Sequence, residues 1–461
     1  MLTQVRVTSV NALLYALREL GRRAGAGARE VRRWRVAVEA DRTVLFPDPN
    51  SQRRIVFPVD RSKPERIGAL CAHEPSRYEP DIVVPFEERT AGGPLFVACA
   101  PDEIECRGDI LTATLWTLAR VEERGAGTLD EHGRFRAAAS IAARCECLER
   151  PIVDEYGLAF GQALTALMPG WKPAPRCLRV KLSHDIDRIG YPRRLRSTGA
   201  LLLRYRNLPA FVRELISFTG AARPAYLEAV LQTAAISAQR RLDSAFYFKA
   251  ALRTTQWDTG YDLLQPPIRR VIEHLVEGGC EIGLHPGYDT FHSQTMLDAE
   301  VSHLRGLVGG VPIGGRQHYL RWDCSTWLAW ERAGLAYDST LGYAEAMGFR
   351  AGTSIPYHPW SIEEDRELAL LEVPLIVMDC TPIDYMRLEP ERALARISAI
   401  VERTAAVGGV FTLLWHNASV IEPPYAKLYP RILDLLGAAQ NYDWRSEGEL
   451  PPLPLLTHGA S

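Results

Sequence analysis

Two aspartates two residues apart are the first candidates for chemistry in this sequence. Asp185 and Asp187 follow an apolar run, residues 177–182, that has the composition of a strand. Side chains alternate between the two faces of a strand, so both carboxylates lie on one side. Two negative charges this close resist joint ionisation unless a cation compensates them. The pair predicts a metal ion, a shared proton or both, and the alternative is a solvated turn with capping aspartates.

Strand-like and helix-like segments alternate after this pair, as in a chain that builds a parallel sheet. The predicted strands are residues 178–182, 244–248, 281–284, 316–320, 335–338, 368–374 and 410–415. The predicted helices are residues 267–277, 296–307, 325–332 and 390–406. Seven such units indicate a distorted parallel (β/α)7-type barrel. The long first crossover, at about 188–241, predicts a helical insertion next to the site.

Reactive side chains fall at or near the carboxyl ends of these strands. They are Asp185, Asp187, His285, Asp289, Arg316, His318, Asp338 and His416. Catalytic groups collect at this edge of parallel barrels, so the sequence predicts that they share one pocket.

Residues 1–168 precede this part and predict an α/β domain to which the sequence assigns no role. Its predicted helices are residues 10–20, 110–123, 135–148 and 152–167, and its predicted strands are residues 35–39, 43–46 and 54–57. Residues 169–176 are rich in proline and predict a linker. The barrel would then occupy residues 177–461.

Composition excludes several classes of protein. A net charge of −2 over 461 residues argues against nucleic acid as a partner. No apolar run approaches the roughly 18 residues of a membrane span, and the N-terminus lacks the pattern of a secretory signal, so a cytoplasmic location is predicted. The nine cysteines do not follow a zinc-ribbon pattern and are expected to be reduced thiols.

Five short motifs, in order, resemble those of the polysaccharide deacetylases of carbohydrate esterase family four. They are Ser-His-Asp-Ile-Asp at 183–187, Leu-His-Pro-Gly-Tyr-Asp at 284–289, Arg-Gln-His-Tyr-Leu at 316–320, Tyr-Asp-Ser-Thr at 337–340 and Leu-Leu-Trp-His at 413–416. The resemblance covers roughly residues 178–430. It implies a barrel that hydrolyses amides with the help of a metal ion.

The resemblance also implies a role for each motif residue. Asp185 would be the general base, and Asp187 and His285 would bind the metal. Arg316 would orient Asp185 and offset the repulsion between the two aspartates. His416 would be the acid that protonates the departing amine.

The second motif departs from the family, which usually carries two histidines four residues apart. Asp289 stands at that position, and the next histidine is His292. A residue four after His285 can return to the same side of a helical turn, whereas Pro-Gly at 286–287 disfavours a second turn. The predicted ligands are therefore Asp187, His285 and Asp289. This set suits Zn²⁺ and would also accept Mn²⁺ or Co²⁺.

The predicted substrate is an N-acyl amino sugar, N-acetyl in the first instance, carried on a nucleotide or a lipid during surface polysaccharide synthesis. Arg193 and Arg194 follow the first motif and suit the diphosphate of such a carrier. The other predicted substrate contacts are His318, Tyr288, Tyr319, Trp322 and Asp338. Two alternatives stay open, a hydrolase of small cyclic amides or ureides and a sugar-binding relative that has lost its metal and its activity.

Overall fold

The computed structural model describes residues 9–60, 76–79, 81–85, 92–124, 129–189, 194–253, 255–258 and 260–440. Its N-terminal part contains a mixed sheet with the strand order β1-β2-β3-β7-β6, in which only β3 and β7 run parallel. The strands of this part are β1 Arg35–Val38, β2 Arg42–Phe46, β3 Arg54–Pro58, β4 Ser76–Tyr78, β5 Ile82–Val84, β6 Phe96–Ala100 and β7 Glu103–Cys106. Its helices are α1 Val10–Ala24, α2 Ala28–Val31, α3 Ile110–Leu118, α4 Ile141–Arg144 and α5 Ile152–Leu167.

One helix predicted for the N-terminal part is wrong. Residues 135–148 form a 3-10 turn, Ala137–Ala139, and then the short helix α4 instead of one long helix. Ser140 interrupts the helix because its hydroxyl accepts a hydrogen bond from the Ala143 N–H at 3.1 Å, which is an N-cap geometry. Glu146 has a φ of 55° and turns the chain away.

The second part is built on a parallel five-stranded sheet with the order β10-β9-β8-β16-β15. The strands of this part are β8 Arg179–Ile186, β9 Ser244–Lys249, β10 Glu281–His285, β11 Tyr337–Asp338, β12 Trp360–Ser361, β13 Arg366–Glu367, β14 Leu371–Glu372, β15 Val377–Met378 and β16 Val410–Leu414.

The predicted ring of strands is only partly present. Gly315 bridges Leu284 on one side and Asp338 on the other, which links β10 to the pair β11 and β14. Within the described residues the pairing does not continue from β14 to β15, so the strands form no closed barrel. The chain is a mixed α/β protein with a parallel sheet.

Helices connect the strands of the second part. They are α6 Arg194–Leu203, α7 Leu208–Ser217, α8 Ala225–Ala238, α9 Pro266–Glu277, α10 Gln294–Val308, α11 Thr326–Arg332, α12 Pro390–Ala406 and α13 Tyr425–Gln440. The first three lie between β8 and β9. The strand predicted at 316–320 is wrong, because Tyr319 and Leu320 have φ values of 60° and 54° and the chain forms the 3-10 turn His318–Leu320.

The two parts share buried contacts. A single apolar core includes residues from α1 and α5 as well as from β9 and β10. Arg23 is fully buried and donates from Nε to Asp154 Oδ1 at 2.9 Å. Asp154 also accepts hydrogen bonds from the Ser354 N–H at 2.7 Å and hydroxyl at 2.9 Å. The domain boundary at 169–176 stays a prediction.

Among the described residues, none of the helices has the length and apolar character needed to cross a membrane.

Candidate functional site

Three potential metal ligands converge at the carboxyl ends of neighbouring strands. Asp187 follows β8, His285 ends β10, and His318 begins the turn after Gly315. A Cβ on Gly315 would collide with the Leu284 carbonyl oxygen, so glycine allows the chain to approach β10 this closely. One ligand atom from each of the three residues lies within 4.8 Å of the others.

Hydrogen bonds set the two histidines so that Nε2 faces the cluster. His285 Nδ1 lies 2.7 Å from the Arg316 carbonyl oxygen, which can only accept. His318 Nδ1 lies 3.0 Å from Asp258 Oδ1. In both rings Nδ1 therefore donates, and Nε2 keeps its lone pair, as in histidines that bind metals. His285 Nε2 is buried and lies 3.3 Å from Asp187 Oδ1.

This donor set fits a divalent metal ion. A carboxylate and two imidazoles bind Zn²⁺ and other first-row divalent ions, and three protein ligands leave positions open for water and substrate. The carboxylate is also ionised: burial opposes the charge of Asp187, but Lys249 and His318 more than offset burial and hold its pKa well below its usual range.

Lys249 is the neighbour that competes with a metal ion. Its side chain is buried, and Nζ lies 3.0 Å from His318 Nε2 and 3.5 Å from Asp187 Oδ1. Nζ also lies 3.2 Å from Asp258 Oδ1. The Lys249 ammonium therefore occupies the place beside His318 Nε2 and Asp187 Oδ1 that a metal ion would take. Metal binding at these two atoms requires the Lys249 side chain to move.

Asp185 is held by a buried arginine. Arg316 is fully buried and donates from Nη1 to Asp185 Oδ1 at 2.9 Å. Arg316 also donates to the hydroxyl of Ser183 at 2.9 Å and to the Ser339 carbonyl oxygen at 2.8 Å. Asp185 Oδ2 lies 3.8 Å from His285 Nδ1. The ion pair leaves one carboxylate oxygen of Asp185 beside the ligand cluster.

His416 also lies next to the cluster and is held by Asp379. Asp379 Oδ1 lies 2.8 Å from His416 Nδ1, and Oδ2 accepts from the His416 N–H at 2.9 Å. Burial alone would lower the pKa of His416, but the buried Asp379 carboxylate raises it to about 9. His416 Nε2 lies 3.7 Å from Asp187 Oδ2. The geometry presents a protonated nitrogen next to the ligands.

These groups line one cavity of about 290 Å³. The lining residues that could touch a substrate are Arg134, Asp185, Asp187, Arg188, Lys249, Gln256, Trp257, Asp258, His285, His318, Tyr319, Cys380, Tyr385 and His416. Trp257 is 40% exposed and Tyr385 is 45% exposed. The cavity therefore combines polar groups at its base with accessible aromatic rings.

A hairpin from the N-terminal part reaches this cavity. Leu129 and Phe135 pair across it, and Arg134 donates to the Tyr319 carbonyl oxygen at 3.1 Å. The His132 ring lies 4.4 Å from the Tyr319 ring and 4.9 Å from the Trp257 ring, measured between centroids. The hairpin thus supports an aromatic wall beside the ligand cluster.

The structure does not bring Asp289 to the other predicted ligands. Asp289 is exposed because the residues after Gly287 form the 3-10 turn Tyr288–His292 instead of a helical turn that continues from His285, while the Tyr288 N–H donates inward to Asp258 Oδ1 at 3.2 Å. The His292 side chain is 64% exposed and lies 4.0 Å from Asp323. His318, predicted as a substrate contact, takes the place beside Asp187 and His285 instead.

Several predicted substrate contacts lie away from the cavity. Trp322 is buried against the Trp327 ring. Asp338 is fully buried, and its carboxylate accepts hydrogen bonds from the N–H and hydroxyl of Thr340. Tyr288 lies behind the aromatic wall, with its hydroxyl 3.1 Å from His132 Nδ1. Arg193 and the side chain of Arg194 lie outside the described residues.

Sequence reasoning missed several charged residues of the site, among them Lys249, Asp379 and Asp258. Lys249 and Asp379 stand at the carboxyl ends of β9 and β15, so the rule that selected Asp185 could have found them. Asp258 lies in a loop and does not follow a strand, so that rule could not have found it.

Comparisons with known proteins cover different parts of the chain. The model of a family of unknown function, DUF7033, matches residues 68–169. None of the curated proteins matches.

Several solved structures are similar to somewhat more than half of the chain. A protein assigned as a polysaccharide deacetylase from Mycobacterium smegmatis is 18% identical, with 60% of this chain and 88% of that chain covered and a TM-score of 0.39. For Puue allantoinase the identity is 13%, the coverage 58% and 89%, and the TM-score 0.39. The chitin deacetylase of the fungus Colletotrichum lindemuthianum is 12% identical, with 57% of this chain and 85% of that chain covered and a TM-score of 0.32. With TM-scores below 0.5, what this chain does must follow from its own residues.

Proposed function

We propose that this chain is a metal-dependent hydrolase that removes the acyl group of an N-acyl amino sugar, with N-acetyl as the first candidate. The observation that carries the proposal is the meeting of Asp187, His285 and His318 within 4.8 Å, with the Asp185 carboxylate 3.8 Å from His285 and the His416 imidazole 3.7 Å from Asp187. A ligand set flanked by one base and one acid is the arrangement that amide hydrolysis needs.

Asp187, His285 and His318 would hold the ion, with Zn²⁺ the first candidate and Mn²⁺ or Co²⁺ also suited. A divalent ion bound there supplies Lewis acidity, which activates water and polarises a carbonyl group. Asp258 would keep His318 in the tautomer that binds a metal ion, because its carboxylate accepts a hydrogen bond from Nδ1–H and leaves Nε2 free to coordinate.

Asp185 would act as the general base. Arg316 engages one of its oxygens, so Oδ2 can accept the proton of the attacking water. The buried guanidinium also places a positive charge against Asp185 and offsets the repulsion from Asp187. Arg316 is a positioning residue because it touches Asp185 and not the substrate.

His416 would act as the general acid. With Nδ1 bound to Asp379, the proton that faces the cavity is on Nε2. Because its pKa is raised to about 9, His416 is protonated at neutral pH and can give this proton to the amine that leaves.

The aromatic wall favours a sugar over a small ureide. The C–H faces of a pyranose ring are apolar and pack on aromatic rings, while its hydroxyls need polar partners. Trp257 and Tyr319 supply rings, and Gln256 and Arg188 supply donors in the same cavity. We also propose that this sugar is attached to a nucleotide or a lipid carrier.

One observation favours a second candidate function. Lys249 already places a cation against His318 and Asp187, so a sugar-binding protein without hydrolytic activity is the alternative.

Acetate release from N-acetyl amino sugars separates the two functions. The metal-loaded wild-type chain should release acetate, and Asp185→Asn should keep the metal and lose at least about 100-fold in kcat, since only the base is removed. Sugar binding without release by the wild type would support the alternative.

A further inference from the structure

Exposed apolar side chains cluster on the helical insertion between β8 and β9. Of the thirteen large hydrophobic side chains that are exposed in the described residues, seven lie between residues 202 and 218. These seven, which we term the insertion face, are Leu202, Leu203, Leu208, Val212, Leu215, Ile216 and Phe218. Isolated exposed leucines are ordinary, but seven within seventeen residues are too many to be incidental and indicate an interaction site.

Helix α7 shows that the exposure is built into the fold. Its buried positions are Ala210, Glu214 and Ser217, which are small or charged. Its leucine, isoleucine and valine side chains share the opposite, exposed face, since 208, 212, 215 and 216 fall on one side at 3.6 residues per turn. Inside the fold, Glu214 Oε2 accepts a hydrogen bond from the Ala225 N–H at 2.6 Å. The helix is amphipathic with its apolar side outward.

The surroundings of the insertion face are strongly basic. Residues 194–223 contain six arginines and one acidic residue, the buried Glu214, in a chain whose net charge is −2. Arg204, Arg206, Arg213 and Arg223 are exposed. The last two lie 3.7 Å and 3.4 Å from the same partner, Glu228, so the pairing leaves excess positive charge.

We infer that the insertion face docks on a membrane surface that contains anionic lipids. Outward leucine, isoleucine and phenylalanine side chains next to exposed arginines are the pattern of a helix that lies in the lipid interface. The apolar side chains would enter the acyl boundary, and the arginines would contact the headgroup phosphates. A second copy of this chain is a less favourable partner for the insertion face. Two basic surfaces would then face each other, and their like charges repel.

The opposite, buried side of the insertion packs on the segment that follows His416. Asn207 donates to the Ile421 carbonyl oxygen at 2.7 Å, and Leu201 and Ala210 pack with Ala418 and Ile421, which follow His416. If the proposed function holds, membrane docking would bring the cavity next to a lipid-carried sugar.

Vesicle sedimentation of the full chain tests the inference without any assay of activity. We expect the wild type to bind phosphatidylcholine vesicles that contain phosphatidylglycerol, and to bind pure phosphatidylcholine vesicles at least tenfold more weakly. Val212→Ser with Ile216→Ser should lower binding at least tenfold, because both side chains are exposed and neither belongs to the core. Val10→Ser removes an equally exposed valine from α1 and should bind as the wild type does.

A second pair of variants tests the charge. Arg204→Gln with Arg206→Gln should weaken binding to the anionic vesicles and leave the weak binding to phosphatidylcholine unchanged. Equal binding of the wild type to both vesicle types, or unchanged binding of the serine variant, would overturn the inference. A third outcome would also overturn it: the wild type does not bind vesicles, is a dimer in light scattering, and becomes a monomer in the serine variant. A second copy of the chain would then occupy the insertion face.

Discussion

The third metal ligand is the point at which sequence and structure make opposite predictions. His318→Ala removes an imidazole whose Nε2 faces Asp187 and His285, whereas Asp289→Ala removes an exposed carboxylate outside that cluster. We expect the first change to abolish tight metal binding and the second to leave it intact.

The size of the effect follows from the hydrogen bond behind His318. Removing a group that supports a ligand costs about 10–100-fold in metal affinity, which is about 1.4–2.7 kcal/mol. Asp258→Asn, which disturbs the 3.0 Å contact to His318 Nδ1, should fall in this range. His318→Ala removes the ligand itself and should lose more than about 100-fold. Asp289→Ala should stay within about twofold of the wild type.

Competition with a chromophoric chelator measures these affinities at one pH. Circular dichroism of each variant without metal checks that the fold is retained, and His292→Ala serves as the histidine control because its side chain is 64% exposed. Loss of affinity in Asp289→Ala together with full affinity in His318→Ala would refute the ligand assignment.

Three further predictions concern the neighbours of the cluster. Lys249→Met should tighten metal binding at least about tenfold in the same titration, because it removes an ammonium 3.0 Å from His318 Nε2; equal or weaker affinity would contradict this. Asp379→Asn removes the anion that raises the pKa of His416 from its usual value to about 9, so the alkaline limb of the kcat/KM profile should move to lower pH by at least about one unit; an unmoved limb would show that His416 is not the acid. His132→Asn keeps a polar partner for Tyr288 and removes the ring, so KM for an N-acetyl sugar should rise about tenfold with kcat within about threefold, while the exposed control His274→Asn should change neither; an unchanged KM would exclude the hairpin from sugar binding.

Part of the site follows from one rule of parallel sheets. Asp185, Asp187, His285 and His416 were expected together because each follows a predicted strand, and the structure places them around one cavity. Arg316 forms the expected ion pair with Asp185. Strand ends can be located from apolar runs alone, which is why this part was accessible from sequence.

The third ligand required a contact between distant segments. Spacing along a helical turn selected Asp289, but the residues after Gly287 form a 3-10 turn that leaves the Asp289 side chain exposed. His318 arrives instead because Gly315 lies against Leu284, and left-handed residues such as Tyr319 form a turn where alternation suggested a strand. Close approach of two backbones and a positive φ at a non-glycine residue leave no periodic pattern in the sequence.

The contribution of the N-terminal part was also beyond local reasoning. His132 and Arg134 lie between the predicted helices 110–123 and 135–148, and their partners Tyr288 and Tyr319 come 156 and 185 residues later in the chain. The shared core and the hydrogen bonds of Asp154 with Ser354 hold this part against the second part. Only the packed fold shows that the hairpin borders the cavity.

Metal titration of chelator-treated protein, with acetate release from an N-acetyl amino sugar as the readout, tests the central claim most directly. The account predicts no release from the metal-free protein, recovery that is complete at one equivalent of added Zn²⁺, and no recovery in Asp187→Ala, which lacks one of the three ligands. Full activity in the metal-free protein, or equal recovery in Asp187→Ala, would contradict it.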